Sequence, residues 1–466
     1  MKRKWFGKKV LICGLSKSGT AAAEYLASRG ADCYLTEFKL AEEKDKELIE
    51  NLEKQGIKVE TGGHSDEFID GAYLAIMSPG ISPKKEIYKR LKERNIPYMS
   101  EVELAFDETE STFIAITGTN GKTTTTSLVS HLLSGDFDAP YCGNIGVPPT
   151  RLLDKKHDYL VCEMSSYQCE LSPTIQPFIA CFLNWTENHI DWHDGLDNYF
   201  KAKAKLFAPE KAPTFAVFNG VDPKVSEFAA KYPYEKFIFA KECDKNCCYV
   251  KDGKVMFKRR KDAEEIISVN EIPLVGEHNV QNVMVAVIVA KLCGVSTETI
   301  RERIKTFKAV EHRIEYVGTD GKHKFYNDSK STTTEATIVA LRAFPNKDVT
   351  LIMGGRDKLT DLNGLCEKTK ECVKNVILIG EATQRFKEAL EAHGYTNIYE
   401  AKTFEESIDK AIEYENEIIL FSPACASFDM FDNFEHRGEE FKKYVGTKIY
   451  STTKYSTDGV YPVPAR

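Results

Sequence analysis

The chain has 466 residues, which at about 150 residues per domain predicts roughly three domains. Hydrophobic residues make up 42% and charged residues 29%, a balance typical of a globular protein that excludes extended disorder. The net charge of −7 argues against general electrostatic binding to nucleic acid or to an anionic membrane, and we expect neither partner.

The N-terminus is basic but gives no secretory signal, because an alternating strand pattern follows it and Gly14 interrupts the apolar run. The densest apolar run, residues 283–290, is far shorter than the about 20 residues that cross a bilayer. We interpret it as a buried helix and expect a cytoplasmic protein.

Thirteen cysteines are scattered along the chain without C-x-x-C spacing. Cys243, Cys247 and Cys248 cluster, but no histidine near them could complete a metal site. We therefore expect reduced thiols.

Strand patterns alternate with helical periods in three successive stretches, which is typical of parallel sheets covered by helices. The stretches open with strands at residues 9–13, 113–117 and about 324–326. The sequence predicts an α/β protein with domain boundaries near residues 108 and 310.

The strongest local signal is Ile116-Thr-Gly-Thr-Asn-Gly-Lys-Thr-Thr, between a predicted strand and a predicted helix. Gly118 and Gly121 let backbone N–H groups turn toward an anion, Lys122 can reach outer phosphates, and Thr123 can bind Mg²⁺. Ile116 stands where the usual motif has its first glycine, so an ordinary strand-to-helix turn is the alternative. The pattern favours a phosphate loop.

A second glycine-rich turn, residues 14–19, follows the first strand, and Glu37 ends the next strand. Ser16 replaces the middle glycine that lets a backbone approach a pyrophosphate, so the dinucleotide fingerprint is incomplete. A purely structural turn and an NAD site are alternatives, but the pattern favours another nucleotide or a sugar nucleotide. Ser78, Pro79 and Gly80 form a turn at the same predicted sheet edge.

Two further polar segments follow predicted strands of the second stretch. Glu163 ends the first of these strands and could bind Mg²⁺ there. Residues 184–193 follow the other, and include His189 and His193 at a spacing that could bind zinc, without a third ligand nearby. We favour a magnesium or substrate role for His189.

These motifs, in this order, resemble the Mur ligase family over nearly the whole chain. The motifs that carry the resemblance are residues 117–124, 163–168, 184–193, 276–279 with Asn282, and 311–313. The C-terminal motifs at residues 327–332, 354–358 and 422–434 are similar to those of the members that add D-glutamate.

The resemblance implies three domains and their ligands. Residues 1–108 would form a Rossmann-like domain that binds a UDP-sugar substrate, residues 109–310 a central P-loop-type ATPase domain, and residues 311–466 a Rossmann-like domain that binds the amino acid. We expect a monomer.

The reaction implied by the resemblance is ATP-dependent amide formation in cytoplasmic peptidoglycan precursor synthesis. ATP would phosphorylate the terminal carboxylate of UDP-N-acetylmuramoyl-L-alanine, and the amine of D-glutamate would attack the acyl phosphate through a tetrahedral intermediate. Two Mg²⁺ ions would neutralise the phosphate charge. The alternatives are a folylpolyglutamate synthase-like ligase and a Mur ligase that adds another amino acid.

The resemblance also implies the role of individual residues. The catalytic residues would be Lys122, His189, Lys203 and Lys330. The Mg²⁺ ligands would be Thr123, Glu163, His189 and a carbamylated Lys203. The ATP-binding residues would be Gly118, Thr119, Asn120, Gly121, Lys122, Thr123, Thr124, Asn279, Asn282, Arg313 and Asp328. The UDP-sugar residues would be Leu15, Ser16, Glu37, Phe38, Lys39, Ser78, Pro79, Gly80, Asn144, Ser165 and Gln168. D-Glutamate would contact Thr332, Lys358, Ser427, Phe428 and Phe434.

Some of these residues have a plainer interpretation. Without the family, Lys203 reads as one member of a solvated run with Lys201 and Lys205. Asp328 and Lys330 could form a surface ion pair, and the aromatic residues of the amino-acid pocket could belong to the core.

Overall fold

The computed structural model describes residues 4–186, 190–193, 195–345 and 348–453. Three sheets follow one another along the chain, each with helices between its strands, which confirms the α/β fold class. The described residues up to Ile272, together with Asn279–Phe307, form one compact unit, and Pro273–His278 with the described residues from Lys308 onward form the other. The boundaries at 108 and 310 stay predictions.

The first sheet is entirely parallel, with strand order β3-β2-β1-β4-β5. Its strands are β1 Lys9–Cys13, β2 Asp32–Glu37, β3 Lys58–Thr61, β4 Leu74–Met77 and β5 Tyr98–Ser100. Its helices are α1 Lys17–Ser28, α2 Lys46–Lys54, α3 Asp66–Ile69, α4 Glu86–Glu93 and α5 Glu101–Glu108. The strand order reverses between β1 and β4, so the carboxyl ends of these strands border the crevice where open α/β sheets bind ligands.

The second sheet has nine strands in the order β14-β13-β12-β11-β10-β9-β6-β8-β7, and its strand pairs are parallel except those that β13 makes with β12 and β14. Its strands are β6 Thr112–Thr117, β7 Tyr141–Gly143, β8 Tyr159–Glu163, β9 Ile179–Phe182, β10 Phe215–Asn219, β11 Lys236–Phe239, β12 Cys247–Lys251, β13 Lys254–Arg259 and β14 Asp262–Ser268. Its helices are α6 Lys122–Leu133, α7 Ser166–Glu170, α8 Ile190–His193, α9 Leu196–Ala204, α10 Pro223–Lys231, α11 Glu277–Leu292 and α12 Thr297–Thr306.

Helix α11 contains the apolar run at residues 283–290, all of it buried, which confirms the predicted buried helix. A helix that is apolar on every side is stable only inside a protein or a membrane. None of the helices in the described ranges combines the length and apolarity that a bilayer crossing requires.

The third sheet has six strands in the order β15-β16-β20-β17-β18-β19, of which only β15 pairs antiparallel. Its strands are β15 Glu315–Thr319, β16 Lys324–Asn327, β17 Val349–Gly354, β18 Val373–Ile379, β19 Ile398–Glu400 and β20 Ile418–Phe421. Its helices are α13 Thr334–Arg342, α14 Asn363–Cys372, α15 Thr383–Ala392, α16 Phe404–Glu413 and α17 Phe434–Thr453. Strands β16, β20 and β17 lie side by side, so the segments that follow them leave one edge of the sheet.

Two buried glutamates of α5 join the first sheet to the second. Glu101 Oε1 accepts hydrogen bonds from Thr150 N at 2.7 Å and from Thr150 Oγ1 at 2.6 Å. Glu103 Oε1 accepts from Thr174 N at 2.7 Å and also from its hydroxyl. Burial raises the pKa of Glu101 to about 7, although the two hydrogen bonds from Thr150 act to lower it. We refer to these two contacts as the α5 clamps.

Candidate active site

The phosphate loop, residues 117–124, runs from the end of β6 into the first turn of α6. Gly118 has φ +154° and Gly121 has φ +80°, a conformation that side chains rarely adopt. A Cβ atom at Gly118 would lie 2.8 Å from Leu183 Cβ, and one at Gly121 would lie 2.5 Å from Asn282 Oδ1. The loop therefore needs glycine at both positions, and its backbone turns toward the N-terminus of α6.

Asn184, which follows β9, holds the phosphate loop in shape. Its Oδ1 accepts hydrogen bonds from Thr119 N at 3.2 Å and from Asn120 N at 2.8 Å. Its Nδ2 donates to Asn120 O at 3.0 Å. Asn184 belongs to a polar segment that the sequence analysis singled out, but its role in supporting the loop was missed.

Glu163 lies at the end of β8 beside the phosphate-loop strand, because β6 and β8 are parallel neighbours. Its Oε2 accepts a hydrogen bond from Thr123 Oγ1 at 2.9 Å, and its Oε1 accepts one from Asn144 Nδ2 at 2.8 Å. Glu163 is 2% exposed. The structure thus brings two predicted site residues, Thr123 and Asn144, to the buried carboxylate of a third, Glu163. The carboxylate and hydroxyl oxygens are ligands that suit a hard cation.

Two lysine amines converge on the first glycine of the loop. Lys122 Nζ donates to Gly118 O at 2.9 Å and to Thr119 O at 2.8 Å. Lys203 Nζ donates to the same Gly118 O at 2.8 Å. Lys203 is 1% exposed, so its interpretation as part of a solvated run is wrong, whereas Lys201 is exposed.

The environment of Lys203 changes its protonation. Burial, followed by the positive charge of Lys122, lowers the pKa of Lys203 to about 7. A buried lysine with this pKa is partly neutral near pH 7, and a neutral amine is a nucleophile.

Asn279 and Asn282 on α11 lie behind the phosphate loop. Asn282 Oδ1 accepts a hydrogen bond from Thr125 Oγ1 at 3.1 Å, and Asn282 Nδ2 donates to Asn279 Oδ1 at 3.1 Å. Both asparagines are buried. They connect α11 to the first turns of α6.

His189 lies outside the described residues. His193 is buried, and its Nε2 lies 2.9 Å from Ser166 Oγ. In the ranges that the structure describes, no group of three or more His, Cys, Asp or Glu side chains could hold a metal ion.

The turns after β1 and β4 meet at the crevice of the first sheet. Ser16 Oγ lies 2.7 Å from Ser78 Oγ and accepts a hydrogen bond from Gly19 N at 3.2 Å, which caps α1. Pro79 and Gly80 continue the turn after Ser78. The predicted glycine-rich turn thus lies against the second predicted turn.

Glu37 closes the same crevice from the end of β2. Its Oε2 accepts a hydrogen bond from Leu15 N at 2.9 Å, and its Oε1 accepts one from Lys39 N at 3.1 Å. Phe38 is 71% exposed. The carboxylate fixes the two loops, and the exposed phenyl ring next to it is available for stacking against a base.

Ser165 and Gln168, predicted to contact substrate, form a capping box at the start of α7. Ser165 N donates to Gln168 Oε1 at 2.9 Å, and Gln168 N donates to Ser165 Oγ at 3.2 Å. In this structure the two side chains satisfy each other's backbone groups.

In the second unit, Asp328 is buried at the end of β16 and accepts three hydrogen bonds. The donors are Ile314 N at 3.1 Å, Ser331 Oγ at 2.5 Å and Ser422 Oγ at 2.7 Å. Because Asp328 is 2% exposed, its interpretation as half of a surface ion pair is wrong. Burial raises its pKa to about 6, while the hydroxyl hydrogen bonds and the charge of Arg313 oppose the shift.

Two predicted cationic residues belong to the same segments: Arg313, whose charge acts on Asp328, and Lys330, two residues beyond it. Arg313 has its Nε buried without a hydrogen-bond partner among the described residues. Lys330 Nζ lies 5.5 Å from the centre of the Phe434 ring, and Lys330 N donates to His312 O at 3.0 Å. Arg313 therefore keeps a buried donor available for a ligand.

Arg437 is a buried residue of α17 that the sequence analysis missed. Its guanidinium donates to Ser329 O at 2.8 Å, Cys425 O at 3.1 Å and Ala426 O at 3.2 Å, and to Ser329 Oγ at 3.0 Å. Burial lowers its pKa to about 10. Arg437 thus fixes the segments that carry Lys330 and Ser427 to each other.

The predicted amino-acid pocket draws on segments next to this arginine. Arg356 N donates to Ala426 O at 2.9 Å, which places the segment carrying Lys358 beside the one carrying Ser427. Ser427 is buried, Lys358 is exposed and Thr332 is partly buried. Phe428 is 63% exposed and Phe434 is partly buried, so the core interpretation is wrong for Phe428.

Family models cover most of the chain in three consecutive matches. The first is the Mur ligase MurD-like, N-terminal domain over residues 8–100. The second is the Mur ligase middle domain over residues 116–290, and the third is the Mur ligase, glutamate ligase domain over residues 312–425.

Curated relatives match the chain over nearly its full length. The UDP-N-acetylmuramoylalanine–D-glutamate ligase of Acidobacterium capsulatum is 38% identical over 94% of this chain and 96% of its own. The ligase of the same name from Thermoanaerobacter pseudethanolicus is 38% identical over 94% of this chain and 98% of its own.

Solved structures share the fold. The UDP-N-acetylmuramate-alanine ligase MurC of Thermotoga maritima aligns with a TM-score of 0.58 at 17% identity, covering 94% of this chain and 99% of that one. MurF of Acinetobacter baumannii aligns with a TM-score of 0.58 at 18% identity, covering 94% and 93%. Three domain matches in order, near-complete relatives and a shared fold lead to one conclusion: the chain belongs to the Mur ligase family.

Proposed function

We propose that this protein is an ATP-dependent ligase that joins D-glutamate to UDP-N-acetylmuramoyl-L-alanine in peptidoglycan precursor synthesis. The arrangement that carries the proposal is the buried Glu163 carboxylate held by Thr123 and Asn144 beside a glycine-dependent phosphate loop. The substrate assignment is supported by the name of the curated relatives. We propose a monomer that works in the cytoplasm.

ATP would bind at the phosphate loop. Asn184 occupies the N–H groups of Thr119 and Asn120 and keeps the loop open, while the N-terminus of α6 presents its remaining N–H groups to an anion. Lys122 lies against the loop carbonyls and would turn to the outer phosphates as ATP binds. Gly118, Gly121 and Thr124 would complete this contact surface.

The oxygen atoms of Thr123 and Glu163, which are in contact, would hold Mg²⁺. When bound, Mg²⁺ neutralises charge on the transferring phosphoryl group. Asn144 orients the carboxylate by its hydrogen bond to Oε1. Lys203 would bind a second ion as a carbamate, with His189, because a carbamate replaces an amine by the oxygen atoms that a hard cation prefers.

Arg313, Asp328 and Lys330 would act from the second unit. The buried Nε of Arg313, which has no hydrogen-bond partner in the described part of the chain, is a donor suited to a nucleotide oxygen. Asp328 is held by hydrogen bonds from Ser331 and Ser422. Asn279 and Asn282 would support the nucleotide site from behind α6. Lys330 would stabilise negative charge at the reacting carboxylate.

The proposed reaction consists of two transfers. The terminal carboxylate of the sugar nucleotide attacks the γ-phosphoryl group of ATP, which gives an acyl phosphate and ADP. The amine of D-glutamate then attacks the acyl carbon, and the tetrahedral intermediate releases phosphate. Cationic side chains contribute by holding negative charge, since phosphoryl transfer depends chiefly on positioning and electrostatic stabilisation.

The sugar nucleotide would bind at the crevice of the first sheet. This crevice is bordered by the turns and strand ends that carry Leu15, Ser16, Glu37, Phe38, Lys39, Ser78, Pro79 and Gly80. The same substrate would be contacted from the central sheet by Asn144, Ser165 and Gln168. Phe38, which is exposed, would cover the base.

D-Glutamate would bind between the segments that Arg437 fixes. A dicarboxylate requires donors at both ends, and Lys358 with the Ser427 hydroxyl would supply them. Thr332, Phe428 and Phe434 would form the wall of this pocket.

The test is phosphate release from ATP in the presence of UDP-N-acetylmuramoyl-L-alanine with D-glutamate, L-glutamate, L-alanine, L-lysine or no amino acid. We expect release with D-glutamate alone. Release with another amino acid would keep the reaction and overturn the pocket assignment. Without release in any reaction, the substrate assignment would be wrong and a folate substrate would be tested next.

A further inference from the structure

Two cysteines lie close together at the start of strand β12 of the central sheet, and neither belongs to the proposed active site. Cys243 lies in the loop between β11 and β12, and Cys247 is the first residue of β12. Cys243 N donates to Cys247 Sγ at 3.1 Å, and the Cys247 thiol donates to Cys243 O at 3.5 Å. Both sulfur atoms therefore belong to one tight turn.

The surroundings of Cys243 favour its thiolate. Lys245, Asn246 and Cys247 follow Cys243 within a few residues, and their hydrogen-bonding groups favour the charged form of its sulfur. Lys258, paired with Cys247 on the neighbouring strand, donates to Cys243 O at 3.1 Å and adds positive charge. Led by the hydrogen bond from Cys247, these contacts lower the pKa of Cys243 to about 7, whereas that of Cys247 is raised.

Accessibility distinguishes Cys243 from the remaining thiols. All thirteen cysteines lie in the described ranges, and only Cys243 is not buried. Burial raises the pKa of Cys33 to about 12 and that of Cys169 to about 11, which makes such thiols inert. Cys243 is thus both accessible and activated, and a second thiol lies within reach of it.

We propose that Cys243 and Cys247 form a thiol–disulfide exchange site that accepts low-molecular-weight disulfides. The Cys243 thiolate attacks one sulfur of the reagent, forming a mixed disulfide and releasing the other half as a thiolate. That thiolate takes the proton of Cys247, whose sulfur then attacks Cys243 and releases the second half. Two protein thiols are oxidised to a disulfide, one reagent disulfide is reduced to two thiols, and excess reagent thiol reverses the exchange.

The test is native treatment with oxidised glutathione, an acid quench and mass spectrometry of the peptides. We expect a Cys243–Cys247 disulfide in the unchanged protein. Cys247→Ser should stop at a glutathione mixed disulfide on Cys243, and Cys243→Ser should give neither product. Cys248→Ser, which changes the next residue of the same strand, is the matched control and should still form the disulfide.

Three results would overturn the proposal. The first is a stable mixed disulfide on Cys243 in the unchanged protein, and the second is earlier modification of another cysteine. The third is the absence of any modification while a free cysteine peptide in the same tube is oxidised. Lys258→Met tests the electrostatic contribution: we expect several-fold slower formation of the mixed disulfide in the Cys247→Ser background, and an unchanged rate contradicts it.

Discussion

Lys122 and Lys203 donate hydrogen bonds to one acceptor, the carbonyl oxygen of Gly118, at 2.9 and 2.8 Å. Two ammonium groups at one carbonyl repel each other, which favours loss of a proton from the more buried of them. The charge of Lys122 is accordingly the second cause, after burial, of the lowered pKa of Lys203. At the phosphate loop, the charged Lys122 can therefore bind an anion, while the neighbouring Lys203 is partly neutral.

Replacing Lys122 by alanine should abolish turnover without unfolding the protein. Lys122 Nζ donates to the loop carbonyls of Gly118 and Thr119, so its loss removes positive charge at the phosphate loop. We expect phosphate release to fall at least about 100-fold, in line with the loss of one transition-state contact. Lys201→Ala, at an exposed lysine, is the control for charge alone, and thermal unfolding verifies the fold. Retained ligase activity would contradict the phosphate-loop assignment.

Lys203→Ala tests the carbamate. We expect loss of activity that short-chain carboxylic acids partly restore, because a small carboxylate can occupy the cavity and replace the missing oxygen atoms. The measurement is phosphate release against acid concentration, with Lys122→Ala as a variant that these acids should not rescue. If the folded Lys203→Ala protein is inactive at every acid concentration, the lysine acts as a hydrogen-bond donor to Gly118 instead.

Asn184→Ala should weaken ATP binding. Three hydrogen bonds to the phosphate loop are lost, each with a net contribution of about 0.5–1.5 kcal/mol to loop order. We expect the KM for ATP to rise about tenfold or more. Asn184→Asp should raise it further, because its carboxylate adds negative charge beside the ATP phosphates. An unchanged KM for ATP in Asn184→Ala would contradict the supporting role of Asn184.

Much of the fold could be predicted from local patterns, because strand and helix periods and glycine-rich turns are local properties. The interpretation of Lys203 as a solvated lysine, made from the lysine run alone, is wrong. A run of lysines at every second position looks solvated, but in α9 residues two apart lie on opposite faces. Lys203 is four residues from the buried Tyr199 and shares its face, while Lys201 does not. The helical period of α9 therefore predicts that Lys203 lies on the buried face.

Other site residues left no local signal. Asn184 is one polar residue among many after a buried strand, and only the fold brings it to Thr119 and Asn120. Arg437 reaches backbone atoms of residues that are distant in sequence, such as Ser329. Contacts of this kind arise from the pairing of β16 with β20 and not from any motif.

Arg437→Met should destabilise the second unit. The substitution leaves the buried carbonyl groups of Ser329 and Cys425 without the Arg437 donor, at a cost of about 1–3 kcal/mol for an unsatisfied group. We expect a loss on the order of 3 kcal/mol in urea unfolding. Arg356→Met, at an arginine whose side chain is half exposed, should change stability by less than about 1 kcal/mol. Equal stability of the two variants would refute the anchoring role of Arg437.

Glu101→Gln should remove a pH dependence of stability. The pKa of Glu101 is raised from its ordinary 4.5 to about 7, so the folded protein favours the protonated form. The stability that the protonated group contributes is present below pH 4.5 and is lost as pH rises through 7. Glutamine mimics the protonated form at every pH. The variant should therefore match the unchanged protein at low pH and exceed its stability at pH about 8 by on the order of 3 kcal/mol.

Urea unfolding of both proteins across this pH range is the measurement. Glu110→Gln, at an exposed glutamate just beyond α5, should show no such divergence. If the stability difference between Glu101→Gln and the unchanged protein stays constant with pH, the Glu101 carboxyl does not titrate as predicted.

The α5 clamps have a consequence for molecules that span the first and second sheets. Glu101 and Glu103 attach one helix to Thr150 and Thr174, so the distance from the crevice of the first sheet to the phosphate loop is set during folding. A rigid span spares a ligand the entropy of drawing two bodies together. A single compound could therefore carry one group for the crevice of the first sheet and another for the phosphate loop. With a linker of matching length, it would bind both sites without moving them relative to each other.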